Sequence, residues 1–376
     1  MAFSSTWKII RDTIVVLAIT AGLFAVMEGV TRFAFPQRLN TTYLGGSSLA
    51  MRDEVIGHVN RPNAHALVEG PEFSVEYKIN EQGFRDATVY APEKPDGVTR
   101  VLLIGDSMTF GASNQYDEIW PVLAEKGLTE AGQKVELIKA GVPAFDTRSE
   151  VLYLERIHDL YRPDIVVFGF MPNDLFTNRP IEEDAGHGAS NTADKHDTGV
   201  RAVADKKSSL HVITLVKRIL MSNDHAYVRL YLMTLRRPYF ASVSDDRIGQ
   251  KFREASKMFS RAQRFCADKG CEFVVLSIPQ QFQVLVQARQ IRVEGIDPTH
   301  IDAEFMRMAD EEGFLWVPLL PDLAEAYKQS GEDLYFRYDG HLNRAGNQVV
   351  ATSVADAFLN LLKSRDEAHF QPSPGG

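Results

Sequence analysis

Ser107 follows directly on a short apolar run, VLLIG (101–105), and the acid Asp106. The run is suited to a strand buried on both faces, and the reacting groups of open α/β sheets gather where such strands end. Gly105 permits a sharp exit from the strand, which places the serine hydroxyl at the edge of the sheet. Taken alone, the same pattern fits a serine that caps the following helix. Ser107 is therefore a candidate nucleophile that needs a base.

The run YDGHLNRAG near the end of the chain supplies a base and an acid to orient it. Asp339 and His341 are two apart, so in an extended loop their side chains point to the same side. The carboxylate can then hold one ring nitrogen while the other faces Ser107. The alternatives are a turn-forming aspartate and a surface histidine before a last helix capped by Asn343.

Two further apolar runs end in groups that can donate hydrogen bonds to a developing oxyanion. VELIKA (135–140) is followed by Gly141, whose backbone N–H a substrate can approach closely, and DIVVFGF (164–170) is soon followed by Asn173. Gly141 as a tight-turn residue and Asn173 as a helix cap are the structural alternatives. The neighbouring acids Asp106 and Asp174 are expected to be structural.

These runs alternate with helix-length segments, and such alternation predicts a parallel sheet in an α/β fold. An amphipathic helix around 247–268, the strand EFVVLSI (272–278) and a terminal helix from about 344 to 363 continue the pattern. The run FSVEYKI before the turn-like NEQGF reads as a strand in an earlier, Gly- and Pro-rich stretch. Neither an internal repeat nor a glycine-rich phosphate loop is found.

Four blocks in this order, GDSMTFG, AGVPAFDT, MPND and DGHLNRAG, resemble those of the SGNH hydrolases, also called the GDSL esterase superfamily. The resemblance spans about 100 to 362. It implies a three-layer α/β/α sandwich around a short parallel sheet, without a cofactor. It also implies Ser107, His341 and Asp339 as the catalytic residues, and the N–H groups of Ser107, Gly141 and Asn173 as the oxyanion hole.

Three positions depart from the family pattern. Lys139 stands where the second block often has asparagine, Met171-Pro172 precede Asn173-Asp174 where the third block often reads Gly-x-Asn-Asp, and Asp339 precedes His341 by two residues rather than three. Many polysaccharide-associated members share that last spacing. The apolar N-terminus and the NEQGFRD stretch resemble bacterial envelope members that act on acylated polysaccharides.

The function predicted from this resemblance is a serine esterase that removes O-acyl groups from an envelope or exported polysaccharide. The acyl group is expected to be acetyl. One alternative is a polysaccharide O-acetyltransferase that uses the same residues. Another is a catalytically inactive carbohydrate-binding or scaffolding protein of the same fold. The expected partners are the acylated carbohydrate and proteins of polysaccharide assembly.

The first residues predict a membrane segment. Thr13 to Met27 carries no charge, and the stretch from Arg11 to Arg32 could cross a bilayer as a helix, with Glu28 and Arg32 on one face. A cleaved signal peptide is the competing interpretation, although no convincing small-residue cleavage site follows. The expected location is the bacterial inner membrane, single-pass, with the catalytic domain periplasmic or otherwise extracytoplasmic.

The chain is thus divided into an anchor (1–34), a small β-rich lead-in region (35–98), an SGNH hydrolase domain (99–363) and a disordered tail (364–376). A polar, turn-rich insertion or lid interrupts the domain at about 175–245. Its histidines have no ligand spacing, so no metal site is predicted there; they are His187, His196, His211 and His225.

Composition excludes some classes of function. The formal net charge of -9 argues against a nucleic-acid partner, since binding to phosphates needs concentrated Lys and Arg. The two cysteines, Cys266 and Cys271, are too few for a zinc site. In an oxidising compartment they could form a local disulfide, but spacing alone leaves this open.

Overall fold

A long helix, α1 (Ala2–Ala34), begins the chain in this computed structural model, which describes residues 2–177 and 210–369. Within the described residues, α1 is the one helix long and apolar enough to cross a membrane. Its candidate span is Trp7–Ala34, with a mean hydropathy of 2.1 in its most apolar window, none of which is buried against the rest of the protein. Glu28 and Arg32 meet across one helical turn at 3.3 Å, as their spacing predicts.

Five short strands follow α1 and form the lead-in region. Three make an antiparallel sheet in the order β1-β4-β5, and β2 and β3 pair as a hairpin. Alternate side chains of β4 and β5 are buried in a small core of their own, which also contains Phe110 from the domain that follows. The region therefore packs against that domain; its strands are β1 (Thr42–Gly46), β2 (Ala50–Asp53), β3 (Gly57–Asn60), β4 (His65–Glu69) and β5 (Ser74–Lys78).

The domain is built on a five-stranded sheet in the order β10-β9-β8-β6-β7, in which every neighbouring pair is parallel. The register pairs Gly105 with both Gly141 and Gly169, so three strands end at the same level. This confirms the α/β fold with a parallel sheet. The strands are β6 (Thr99–Gly105), β7 (Val135–Gly141), β8 (Ile165–Phe170), β9 (Glu272–Ser277) and β10 (Leu315–Pro318).

Consecutive residues of β6 and β8 are buried, although their side chains alternate between the two faces of the sheet. Both faces are therefore covered by helices. The helices after α1 are α2 (Ser107–Phe110), α3 (Trp120–Glu130), α4 (Thr147–Tyr161), α5 (Asn173–Thr177), α6 (His211–Met221), α7 (Asp224–Leu232), α8 (Asp246–Lys269), α9 (Gln281–Ala288), α10 (His300–Glu312), α11 (Leu320–Ser330) and α12 (Arg344–His369). One group packs together as α3, α9, α11 and α12, and the other as α4, α8 and α10.

Two boundaries need correction or qualification. Helix α12 continues to His369, so the predicted disordered tail was wrong over 364–369, and residues 370–376 lie outside the described residues. The apolar part of the predicted insertion forms α6 and α7, whereas its polar part, with His187 and His196, also lies outside them. In the part of the chain that the structure describes, no three or more His, Cys, Asp or Glu side chains are grouped to hold a metal ion.

The two cysteines flank the turn from α8 to β9, and both thiols are free. The Cys271 N–H donates to the Cys266 carbonyl at 2.9 Å, which keeps the side chains adjacent. A hydrogen bond from the Cys266 thiol, together with His158, lowers the pKa of Cys271 to about 6. The sequence left a disulfide open, and the structure has none between them.

Candidate active site

Ser107 is the first residue of α2, and Asp106 alone separates it from the end of β6. The helix is capped by Asp106, whose Oδ1 accepts a hydrogen bond from the Met108 N–H at 2.8 Å. Ser107 is therefore not the cap, and its hydroxyl is left for other contacts. Gly105 is required by close packing, since a Cβ there would lie 2.7 Å from the Cβ of Thr109.

The structure brings Ser107 together with His341 and Asp339. His341 Nε2 lies 2.9 Å from Ser107 Oγ, and His341 Nδ1 lies 2.5 Å from Asp339 Oδ2. The spacing of two residues predicted that the acid and the histidine lie on one side of an extended loop, and the extended conformation was wrong. Gly340 between them has φ +84°, a left-handed turn closed by its N–H to the Phe336 carbonyl at 2.8 Å.

Burial and charge prepare His341 to accept a proton. Its side chain is 16% exposed and that of Asp339 is 5% exposed. Burial alone lowers the pKa of His341, but the Asp339 carboxylate more than offsets this, so the pKa is raised above its usual value. Burial alone raises the pKa of Asp339, but the charge of His341 and the hydrogen bonds from His341 and Ser113 hold the pKa below its usual value. The pair therefore favours an ionised acid beside a more basic imidazole.

Two residues that the sequence analysis missed hold Asp339 in place. Ser113 Oγ donates to Asp339 Oδ2 at 2.8 Å from a left-handed backbone, φ +68°. Glu72 Oε2 accepts the N–H groups of Tyr338 and Asp339 at 2.8 and 3.0 Å. Ser113 lies only six residues after the nucleophile, but neither side chain has a spacing that signals its role.

The two predicted oxyanion donors lie at the same edge of the sheet. Asn173 begins α5, and its Nδ2 donates to Asp106 Oδ2 at 3.0 Å, which holds the amide beside the acid that precedes Ser107. Gly141 ends β7 against α2, where a Cβ would lie 2.7 Å from the Thr109 carbonyl carbon. Only glycine lets β7 and the Ser107 helix approach this closely.

Asp106 and Asp174, which flank Ser107 and Asn173 in the sequence, are buried together with Glu150 of α4. Burial raises the pKa of all three carboxyl groups, and their mutual repulsion raises those of Glu150 and Asp174 further. Asp174 Oδ2 accepts the Met171 N–H at 3.2 Å, which fixes the turn before Asn173. Both aspartates thus have the structural roles expected from the sequence.

Lys139, the departure in the second block, is the centre of a buried ionic network. Its side chain is 3% exposed, and Nζ contacts Glu125 Oε2 at 2.7 Å and Asp86 Oδ2 at 3.0 Å. The Tyr90 hydroxyl also lies within hydrogen-bonding distance of Asp86 and of the Leu137 carbonyl. The lysine therefore fastens the lead-in region to β7 and does not face Ser107.

The NEQGFRD stretch acts through Arg85, which is wholly buried beside α2. Its guanidinium donates to the carbonyls of Phe110, Gly111 and Asn114 at 2.6 to 3.0 Å. It also stacks over the ring of Tyr77, 4.6 Å from the centroid. Arg85 thereby holds the loop that carries Ser113 between the Ser107 helix and the lead-in sheet.

Comparisons with known proteins test the family resemblance. Residues 240–376 match the family model described as "SGNH hydrolase-like domain, acetyltransferase AlgX", a segment that contains Asp339 and His341. An arylesterase of Vibrio mimicus is 29% identical over 75 residues, which are 20% of this chain and 38% of that protein. The resemblance to the SGNH hydrolases is confirmed, and these matches support acyl-ester or acyltransferase chemistry.

Solved structures, two of which are named as esterases, are also similar at low sequence identity. An acetyl xylan esterase, AlAXEase, has a TM-score of 0.42 and 15% identity over 69% of this chain and 98% of its own. The esterase EstA from Pseudoalteromonas sp. has a TM-score of 0.42 and 11% identity over 70% of this chain and 99% of its own. TesA has a TM-score of 0.40 and 13% identity, over 70% and 99%.

Proposed function

We propose that this chain is a membrane-anchored serine enzyme that takes an acyl group, acetyl in the first instance, from an O-acyl ester of an envelope or exported polysaccharide. The observation that carries the proposal is the contact of His341 Nε2 with Ser107 Oγ at 2.9 Å, with Asp339 on the other ring nitrogen. That arrangement activates a hydroxyl that is otherwise a weak nucleophile.

The reaction follows from the positions of these groups. His341 takes the Ser107 proton as Oγ attacks the acyl carbonyl, and the N–H groups of Ser107, Gly141 and Asn173 receive the oxyanion. When the tetrahedral intermediate collapses, the C–O bond to the sugar breaks and His341 returns the proton to the departing sugar oxygen. An acyl-serine remains. His341 then deprotonates the acceptor, which attacks the acyl carbonyl and releases Ser107.

The acceptor distinguishes two forms of this enzyme. With water as acceptor it is an esterase, the function first predicted from the sequence. With a sugar hydroxyl it is a polysaccharide O-acetyltransferase, and the description of the matched family model, which names an acetyltransferase, favours this second candidate. Both share the acyl-serine, and proteins of polysaccharide assembly are the proposed partners in either case.

The membrane anchor is supported by a contact of α1 with the rest of the chain. The Glu28 carboxylate accepts the N–H groups of His211 and Val212 at 3.0 and 2.9 Å. Cleavage of α1 as a signal peptide would leave these two groups, at the start of α6, without that partner. We therefore propose that α1 is retained and that the catalytic domain faces the periplasm of a bacterial cell.

The test compares Ser107→Ala with Ser364→Ala, which removes an exposed hydroxyl on α12. Ser107→Ala should abolish hydrolysis of p-nitrophenyl acetate and the acetyl adduct seen by intact mass spectrometry, with unchanged circular dichroism, whereas Ser364→Ala should retain both. Turnover that persists in Ser107→Ala would contradict the role of Ser107 and favour the catalytically inactive carbohydrate-binding or scaffolding protein. Incubating the wild-type protein with an acetyl donor and candidate glycans separates the acceptors: acetyl gain on the glycan indicates a transferase, and net loss an esterase.

A further inference from the structure

Helix α6 carries an apolar stripe that the described part of the protein does not bury. Four side chains within two turns are exposed: Ile213 51%, Val216 47%, Ile219 63% and Leu220 45%. They lie on one side of the helix by its 3.6-residue period. Val212 lies on the same side in the first turn of α6, where it is 4% exposed, so the exposed part of the stripe begins at Ile213. Exposing such a stripe to water is unfavourable in free energy, and exposed apolar surface of this kind marks a site of contact with a protein or a membrane.

The start of α6 is fixed to the end of α1 at two points. Glu28 accepts the N–H groups of the first two residues of α6, His211 and Val212. The N–H of Gln37, just beyond α1, donates to His211 Nδ1 at 2.9 Å. Glu28 precedes the end of α1 at Ala34 by six residues, or about 9 Å of helix, which is comparable to the depth of a headgroup layer. If α1 crosses a membrane, α6 begins at its surface.

The charge of this part of the chain matches an anionic surface. Residues 210–240 contain five basic side chains and the single acid Asp224, in a chain whose net charge is -9. Asp224 is itself paired with Arg289 and Arg337. An apolar stripe beside concentrated Lys and Arg is typical of helices that lie in the interface of anionic bilayers.

We propose that α6 lies in the headgroup layer of the membrane that α1 crosses, with its apolar stripe against anionic phospholipid. The inference rests on the proposed anchor but not on the proposed chemistry. It also has a consequence for the active site, because Arg218 of α6 stacks over the Tyr338 ring, 5.1 Å from its centroid, next to Asp339. The catalytic loop is thereby held at the membrane surface, where a membrane-proximal acyl donor or acceptor would meet it.

The experiment labels the full-length protein at an engineered cysteine with the environment-sensitive dye NBD, after reconstitution into liposomes of phosphatidylethanolamine and phosphatidylglycerol. Ile219→Cys reports on the stripe. Leu160→Cys is the matched control, because Leu160 is 58% exposed at the end of α4, where β8 is about to begin, and so lies at the opposite edge of the sheet. The native Cys266 and Cys271 are buried, and the unmodified chain gives the labelling blank.

The expected result is that the label at 219 emits at shorter wavelength, is quenched by nitroxide lipids and is shielded from aqueous iodide, while the label at 160 stays open to iodide. Shielding at 219 should weaken in phosphatidylcholine liposomes. Equal iodide access at both positions would overturn the proposal, as would shielding from iodide without quenching by nitroxide lipids, which indicates cover by the chain itself or by a second copy. Undiminished shielding in phosphatidylcholine would overturn the preference for anionic lipid.

The anchor is tested separately in the same preparation. Retention in the membrane after carbonate extraction, with an intact mass that includes α1, establishes it independently of α6. A retained anchor with an iodide-accessible label at 219 overturns the placement of α6 alone. Loss of α1 overturns the anchor, while hydrolysis of p-nitrophenyl acetate by the same sample still reports on the chemistry.

Discussion

The hydroxyl of Ser113 donates to the carboxylate of Asp339 at 2.8 Å, so the loop that follows the nucleophile also holds the acid that orients the base. Asp339 Oδ2 receives this bond and the one from His341 Nδ1. The two donors therefore share one oxygen of the carboxylate. Ser113 is therefore a positioning residue, and its removal should change the pKa of His341.

Ser113→Ala should lower kcat/KM by about tenfold, since a hydrogen bond to a charged group contributes about 1.5 kcal/mol or more. Without the Ser113 donor the carboxylate becomes more basic and stabilises the imidazolium more strongly. The apparent pKa on the acid side of the rate profile should therefore rise. Kinetics with p-nitrophenyl acetate over pH measure both effects.

Ser113→Gly is the control for backbone strain, because it also removes the hydroxyl but relaxes the left-handed conformation at φ +68°. The two variants should differ in thermal stability and agree in the pKa displacement. A displacement seen only in Ser113→Ala would trace the effect to the backbone and contradict the positioning role.

Asp339→Asn should move the pH profile in the opposite direction. The Asp339 carboxylate raises the pKa of His341 above its usual value of about 6.5. Since His341 acts as a base only when neutral, activity should rise with pH through a pKa above that value in the wild-type protein. The asparagine amide carries no charge, so the acid limb of the pH–rate profile should move to lower pH. At the same time kcat should drop by about 10²- to 10⁴-fold. An unmoved acid limb in Asp339→Asn would show that another group titrates.

The sheet, and the positions of the five candidate site residues at its edge, could be predicted from the sequence because their signals are local. A buried strand that ends in glycine, as VLLIG does before Asp106, predicts both an element and the edge at which it opens. Parallel strands then bring Gly141 and Asn173 to that edge without further information. Asp339 and His341 were found by residue type and spacing, although the turn at Gly340 was not foreseen.

Contacts between distant segments were not predictable in the same way. Glu72 lies in the lead-in region and holds the catalytic loop more than 260 positions later through backbone N–H groups, which any sequence provides. Glu28 was paired with Arg32 by helical spacing, yet its carboxylate also receives the first N–H groups of α6. Such bonds depend on how the layers pack, and the hydrophobic periodicity of the sequence does not predict that packing.

Lys139→Met should destabilise the fold without directly touching the chemistry. It leaves the wholly buried Asp86 carboxylate without its cation, and breaking a buried pair costs about 3–5 kcal/mol. Urea unfolding should show this loss, whereas the exposed pair of Lys126 and Glu130, 3.8 Å apart, should make Lys126→Met nearly neutral. The folded fraction of Lys139→Met should keep its KM for p-nitrophenyl acetate. Equal stability of the two variants would mean that the Lys139 network is not structural.

Asn173→Asp tests the oxyanion donor with almost no change in side-chain shape. The amide of Asn173 has one N–H on Asp106 Oδ2 at 3.0 Å, and the proposed role needs the other to face the developing negative charge. A carboxylate would donate nothing and would repel both that charge and Asp106.

In Asn173→Asp we expect kcat to fall by about 10²- to 10³-fold with little change in KM, because the donor acts mainly in the transition state. Asn360→Ala, on the exposed side of α12, is the matched control and should leave both constants unchanged. A rise in KM at constant kcat would instead assign Asn173 to substrate binding, since uniform binding of substrate and transition state leaves kcat unaltered.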